Sequence, residues 1–107
     1  MPRRASETSG ISMQRLSVRI MNPVGLHARP AALFVNAVSD FQSTIRIRNR
    51  STRSAWVDAR SILGVLGLGV ESGHSVDLTV SGPDEREAAG YLKALLESPM
   101  PDDQASR

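Results

Sequence analysis

The sequence predicts an α+β fold, a four-stranded, mostly antiparallel sheet with three helices packed on one face in the order β-α-β-β-α-β-α. Three observations carry that prediction. Strand-like stretches alternate apolar and polar residues, as half-buried strands do. Stretches with a helical apolar stripe fall between and after them. The links are short and rich in turn-forming residues. At 107 residues the chain makes one domain with a modest core. Aromatic residues are only 4% of the chain, so that core is aliphatic.

Residues 1–13 lack periodicity and read as a disordered extension. The first strand runs from about Arg15 to Met21, with Leu16, Val18 and Ile20 on the buried side. Asn22-Pro23-Val24-Gly25 is a turn. The first helix spans about Ala28 to Asp40, where Leu33, Phe34, Ala37, Val38 and Phe41 share one face. Thr44 to Arg48 is the second strand, and Ser54 to Val57 a short third. Arg46, Arg48, Arg50 and Arg53 cluster there as a solvated, charged sheet face that discourages edge pairing. A weaker alternative is that they steer an acidic partner.

The second helix runs from Asp58 or Ala59 to Leu66, with Ile62, Leu63 and Leu66 apolar and Gly64, Gly67 and Gly69 weakening it. His74 to Val80 is the last strand, with Val76, Leu78 and Val80 inward and Asp77 and Thr79 outward. His74 reads as structural. Ser81-Gly82-Pro83-Asp84-Glu85 opens the final helix, whose stripe is Ala88, Ala89, Leu92, Leu95 and Leu96. Pro99 and Pro101 end it, and residues 99–107 form a flexible polar tail.

Composition excludes several classes. There is no cysteine, so no disulfide framework, thiolate metal site or cysteine nucleophile. No metal-ligand spacing appears, and no cofactor is implied. No apolar run is long enough to span a bilayer, and the start lacks the apolar segment of a secretory signal. These features predict a cytoplasmic protein without membrane insertion. Net charge is +2, with 12 arginines and the single Lys93. The lone Trp56 and Tyr91 do not form a stacking platform, which speaks against a nucleic-acid binder.

The chemistry concentrates in Gly25-Leu26-His27-Ala28-Arg29-Pro30-Ala31. Proline is suited to a helix's first turn, where the N–H it lacks would have no partner. The N–H groups ahead of it, at Ala28 and Arg29, form an anion site at the positive end of the helix dipole. Arg29 adds a guanidinium that can fork onto phosphate oxygens. His27 is then a nucleophile beside a phosphate cradle. One histidine at a helix start is by itself more often an ordinary surface residue. The combination with arginine, proline and a second unusual stretch downstream outweighs that reading.

That second stretch is Ala59-Arg60-Ser61-Ile62-Leu63-Gly64-Val65-Leu66-Gly67-Leu68-Gly69. Together the two resemble the paired signatures of the HPr family, the histidine-containing phosphocarriers of the bacterial phosphoenolpyruvate:sugar phosphotransferase system. The resemblance covers residues 14–98 and implies the family's open-faced β-sandwich. It further implies that His27 accepts phosphate on Nδ1 from phospho-enzyme I and passes it to an enzyme IIA. Arg29 then holds the phosphoryl group in flight, and Ser61 matches a serine that a dedicated HPr kinase/phosphorylase modifies in some bacteria. Ile62, Leu63 and Leu66 match the partner-docking patch. The implied protein is a monomeric carrier, not a stand-alone catalyst. Alternatives are a carrier for a regulatory, nitrogen-linked branch or for a dihydroxyacetone kinase, and, further off, a small nucleic-acid-binding protein. The N-terminal extension, the arginine-rich hairpin and Arg60, where a lysine is common, depart from the family pattern.

Overall fold

Alternation along four strands builds the sheet. In the computed structural model, which describes residues 13–100, they are β1 (Gln14–Arg19), β2 (Thr44–Asn49), β3 (Val57–Asp58) and β4 (Ser75–Ser81). The helices are α1 (Ala28–Ser39), α2 (Ile62–Gly67) and α3 (Glu85–Glu97). The sheet order is β1-β4-β2-β3 and every neighbouring pair is antiparallel. β4 lies between β1 and β2, so Val18 sits opposite Val76 and Ile47 opposite Leu78. This register puts the apolar half of each strand on one face, and a one-residue slip would turn all of it outward. Against that face pack Phe34 and Val38 of α1, Val65 of α2 and Leu92 and Leu96 of α3, all fully buried. The predicted α+β architecture and element order are therefore those observed.

Several boundaries differ for physical reasons. β3 is two residues at Val57–Asp58, not Ser54 to Val57. The Ser54 hydroxyl accepts the Asn49 N–H at 2.9 Å and the Ser54 N–H reaches the Asn49 carbonyl at 3.0 Å. Ser54 is thereby spent on closing the loop. α2 begins only at Ile62, because Asp58 is paired in the sheet and Ser61 is the N-cap. α3 begins at Glu85 rather than near Ser81, which still belongs to β4. Its N-cap residue, Asp84, makes no capping bond to its own helix. Instead its carboxylate accepts the N–H of Gln42 at 2.8 Å, the N–H of Ser43 at 3.0 Å and the Ser43 hydroxyl at 2.6 Å. α3 is thus tied to the loop between α1 and β2. The same loop is held from α2's side by Arg60, which donates to the Phe41 and Ser43 carbonyls at 2.6 and 3.1 Å.

Asp77 faces outward on the sheet as predicted, yet it is buried. Its carboxylate accepts from Arg48 at 2.9 Å, from Arg50 at 3.3 Å and from the Ser17 hydroxyl. Arg48 also lies 4.9 Å from the centre of the Trp56 ring, and Arg15 lies 5.8 Å away on that ring. The arginine cluster is therefore partly a structural network of ion pairs and stacked guanidinium groups. Tyr91, by contrast, packs on Phe41 with ring centres 5.9 Å apart, in the helical layer. The two aromatic residues sit on opposite sides of the molecule and cannot form one stacking surface. Residues 1–12 and 101–107, which include most of the predicted extension and tail, lie outside the described residues.

Burial acts to raise the Asp77 carboxyl, but hydrogen bonds from Ser17, Arg48 and Arg50 outweigh it and hold it below the ordinary carboxylate value. Asp84 is lowered by the Ser43 hydroxyl and the Gln42 and Ser43 amides. A carboxyl depressed in the folded state stabilises that state above its unfolded value, here 3.8, and the contribution is lost as pH falls through the folded value. Urea unfolding between pH 7 and 2 is expected to show a fall in stability beginning near pH 4, with a shallower slope in Asp77→Asn.

Candidate phosphoryl-transfer site

The approach to α1 is built from a buried turn. Asn22 is buried and its side-chain amide donates to the Gly25 carbonyl at 3.1 Å, while the Gly25 N–H returns to the Asn22 carbonyl at 3.0 Å. Gly25 has φ +65, and a Cβ placed there would lie 2.1 Å from the Val70 carbonyl oxygen. Only glycine permits that approach. The next residue, Leu26, is fully buried and its N–H donates to the same Val70 carbonyl at 3.0 Å. The segment leaving α2 therefore clamps the segment entering α1, and His27 is the first residue past the clamp.

His27 occupies the N-cap of α1 with an extended backbone and no capping bond from its ring. The ring is thus available for chemistry, and its side chain is 40% exposed. Ala28 follows with φ 48, a left-handed conformation uncommon for a residue with a Cβ. Such strain persists only where the surroundings enforce it, and here the clamp lies immediately upstream. Pro30 is buried in the first turn and has no N–H to lose. The first-turn amides have no acceptor within the helix by its geometry, and they point toward the His27 end. Arg29 is exposed at the same end. Predicted and observed geometry agree in bringing histidine, helix amides and arginine to one helix mouth.

One neighbour was not foreseen. The His27 Nε2 lies 3.3 Å from a carboxylate oxygen of Glu71, 44 positions away in the chain. Glu71 carries no local pattern that marks it, because the contact exists only once Gly25 and Val70 meet. Asn22 and Asn49 also escaped the sequence reading. Asn49 is buried and its amide nitrogen reaches the Leu68 carbonyl at 3.1 Å and the His74 Nδ1 at 3.2 Å. His74 is accordingly tied into the fold, in line with its structural reading.

Ser61 is exposed and caps α2, its hydroxyl accepting the Gly64 N–H at 2.9 Å. In α2 the buried residue is Val65, which the apolar pattern of Ile62, Leu63 and Leu66 did not single out. Leu63 is 78% exposed and Ile62 38%, whereas Leu66 is half-buried against the core. An exposed leucine and isoleucine on one short helix leave apolar surface that water covers poorly. Among the described residues no cluster of side chains could hold a metal ion, and no helix is long and apolar enough to cross a membrane.

Residues 14–98 match the family described as "PTS HPr component phosphorylation site". The chain belongs to the HPr family of phosphocarriers. It is 40% identical over 82 residues to the phosphocarrier protein HPr of Treponema pallidum, an alignment covering 77% of this chain and 90% of that protein. It is 41% identical over 86 residues to the phosphocarrier protein NPr of Proteus mirabilis, covering 80% and 93%. Among solved structures, HPr of Bacillus anthracis superposes with a TM-score of 0.75 at 34% identity, covering 80% of this chain and 99% of that one. Membership brings the general role of a phosphoryl carrier in the phosphotransferase system.

The clamp makes a direct stability prediction. Gly25→Ala meets both the left-handed backbone and the Val70 carbonyl. It is expected to cost about 2–4 kcal/mol in urea unfolding. Faster hydrogen exchange at the Leu26 amide would place the damage at the clamp.

Proposed function

We propose that His27 is the residue that carries the phosphoryl group, accepting it on Nδ1 from phospho-enzyme I and passing it to an enzyme IIA. The observation that carries this reading is the ring's position. His27 stands half-exposed at the mouth of α1, its Nδ1 has no partner among the described residues, and Nε2 faces Glu71. A neutral imidazole is nucleophilic near neutral pH. Phosphoryl transfer calls chiefly for positioning and charge stabilisation, which the first-turn amides and Arg29 supply. His27 and Arg29 are open to solvent, which suits a group that must be released to the next protein.

Ile62 and Leu63 form the exposed apolar part of the docking surface, and Leu66 supports them from beneath. Ser61 is a regulatory phosphorylation site for an HPr kinase/phosphorylase. Modification there adds roughly two negative charges next to the docking residues and repels an acidic partner, while the helix end tolerates the charge. The similarity to NPr supports a second reading, in which the same chemistry serves a regulatory relay. Phosphate exchange measured separately with sugar-type and NPr-type donors distinguishes the two.

Incubation with enzyme I and phosphoenolpyruvate is expected to add one acid-labile phosphate, read by mass, that disappears in His27→Ala. Arg29→Ala is expected to slow transfer by about a hundredfold, the scale of losing one group that stabilises transition-state charge, with little change in folding. For Ser61, the α2 cap makes the alanine and aspartate variants informative together. Ser61→Ala is expected to cost about 1 kcal/mol in stability. Ser61→Asp keeps a capping oxygen, holds stability near wild type and weakens binding to enzyme I in titration calorimetry. Absence of any phosphate on Ser61 after treatment with ATP and the kinase would remove the regulatory role.

A further inference from the structure

We infer that Glu71 is a positioning residue for His27, holding the ring in the tautomer that has its proton on Nε2 and its lone pair on Nδ1. The inference rests on the carrier role proposed above for His27 and specifies how its reactive nitrogen is selected. A carboxylate only accepts hydrogen bonds. The 3.3 Å contact between Glu71 and Nε2 therefore asks that nitrogen to donate, and in the neutral ring this leaves Nδ1 without a proton.

Glu71 is exposed, with 64% of its side chain open to solvent, but its backbone is closely placed. The Glu71 N–H donates to His74 Nδ1 at 3.0 Å, and its carbonyl accepts the His74 N–H at 3.0 Å. Asn49 donates to the same Nδ1 at 3.2 Å, so two N–H groups converge on it and the His74 ring proton belongs on Nε2. Gly73 is anchored to the Ile20 carbonyl at 2.7 Å. On the other side, a Cβ on Gly25 would fall 2.9 Å from the Glu71 Cα, so the backbones of the two loops touch. The buried Asn49 and the half-buried His74 thus set where Glu71 stands, and Glu71 sets how His27 presents its ring. His74 is therefore a support for the site as well as part of the fold.

The chemistry balances without moving a proton at His27. The Nδ1 lone pair forms the N–P bond as the bond from phosphorus to the donor's leaving atom breaks, and that atom keeps the electron pair. The Nε2 proton stays between the ring and Glu71. On transfer to the acceptor, the N–P electron pair returns to Nδ1. While the phosphoryl group is held, the ring's positive charge is greatest at the protonated Nε2 edge, where the carboxylate offsets it.

The test uses the full chain labelled with 15N, in three forms: wild type, Glu71→Gln and Glu71→Ala. Long-range 1H–15N spectra of the His27 ring report the tautomer ratio, amide spectra report folding, and the rate of phosphate uptake from phospho-enzyme I reports transfer. Glu71→Ala is expected to raise the Nδ1–H fraction and to slow uptake by about fivefold, the worth of one ordinary hydrogen bond. Glu71→Gln retains an accepting oxygen and is expected to keep both readouts near wild type. A wild-type tautomer ratio and rate in Glu71→Ala would overturn the positioning role and leave the carrier role standing. Wild-type protein that takes no phosphate on His27 would overturn the carrier role itself.

Discussion

Everything at the site depends on one backbone contact, the approach of Gly25 to the Val70 carbonyl. The contact is closer than any side chain allows, and Leu26 seals it with a hydrogen bond to the same oxygen. It joins two segments that the sheet topology alone does not bring together: the entry to α1 and the exit from α2. Buried Asn22 holds the turn's shape from below. The left-handed Ala28 and the uncapped His27 come immediately after this contact in the chain. A helix whose N-cap side chain folded back on its own amides would have no open anion site. Here the ring is turned instead toward Glu71.

The electrostatics separate structure from function across the sheet. On the outer face Arg48 and Arg50 are engaged with the buried Asp77, and Arg48 and Arg15 with the Trp56 ring, a network that ties strands together. The site at the α1 mouth is exposed instead, with the His27 side chain 40% and that of Glu71 64% open to solvent. That contrast is what a carrier needs. A deep cradle would bind phosphate tightly in water-excluded surroundings and would resist giving it up, whereas an open one leaves most of the transition-state stabilisation to be completed by each partner.

The fold, and the placing of His27 and Arg29 at one helix mouth, were legible in the sequence because they rest on local signals. Alternation marked β1, β2 and β4, the α1 stripe marked its buried face, and His27, Arg29 and Pro30 are adjacent in the chain. Boundaries failed where a long-range partner decided them. Ser54 closes a loop instead of extending β3, and Asp84 serves the α1–β2 loop instead of its own helix. Val65 was hidden because α2 is nearly apolar all round, so composition alone does not say which side faces the core. Glu71 was invisible for the same kind of reason, since only the folded clamp makes it a neighbour of His27.

The most direct measurement is the position of phosphorus on the loaded protein. Heteronuclear 31P and 15N NMR of the chain phosphorylated by enzyme I should place phosphorus on Nδ1 of His27, with the Ala28 amide resonance displaced as its N–H turns to the new oxygens. Phosphorus found on Nε2, on another residue, or on Nδ1 with the α1 amides unmoved would contradict an account in which the clamp presents that nitrogen at a helix mouth.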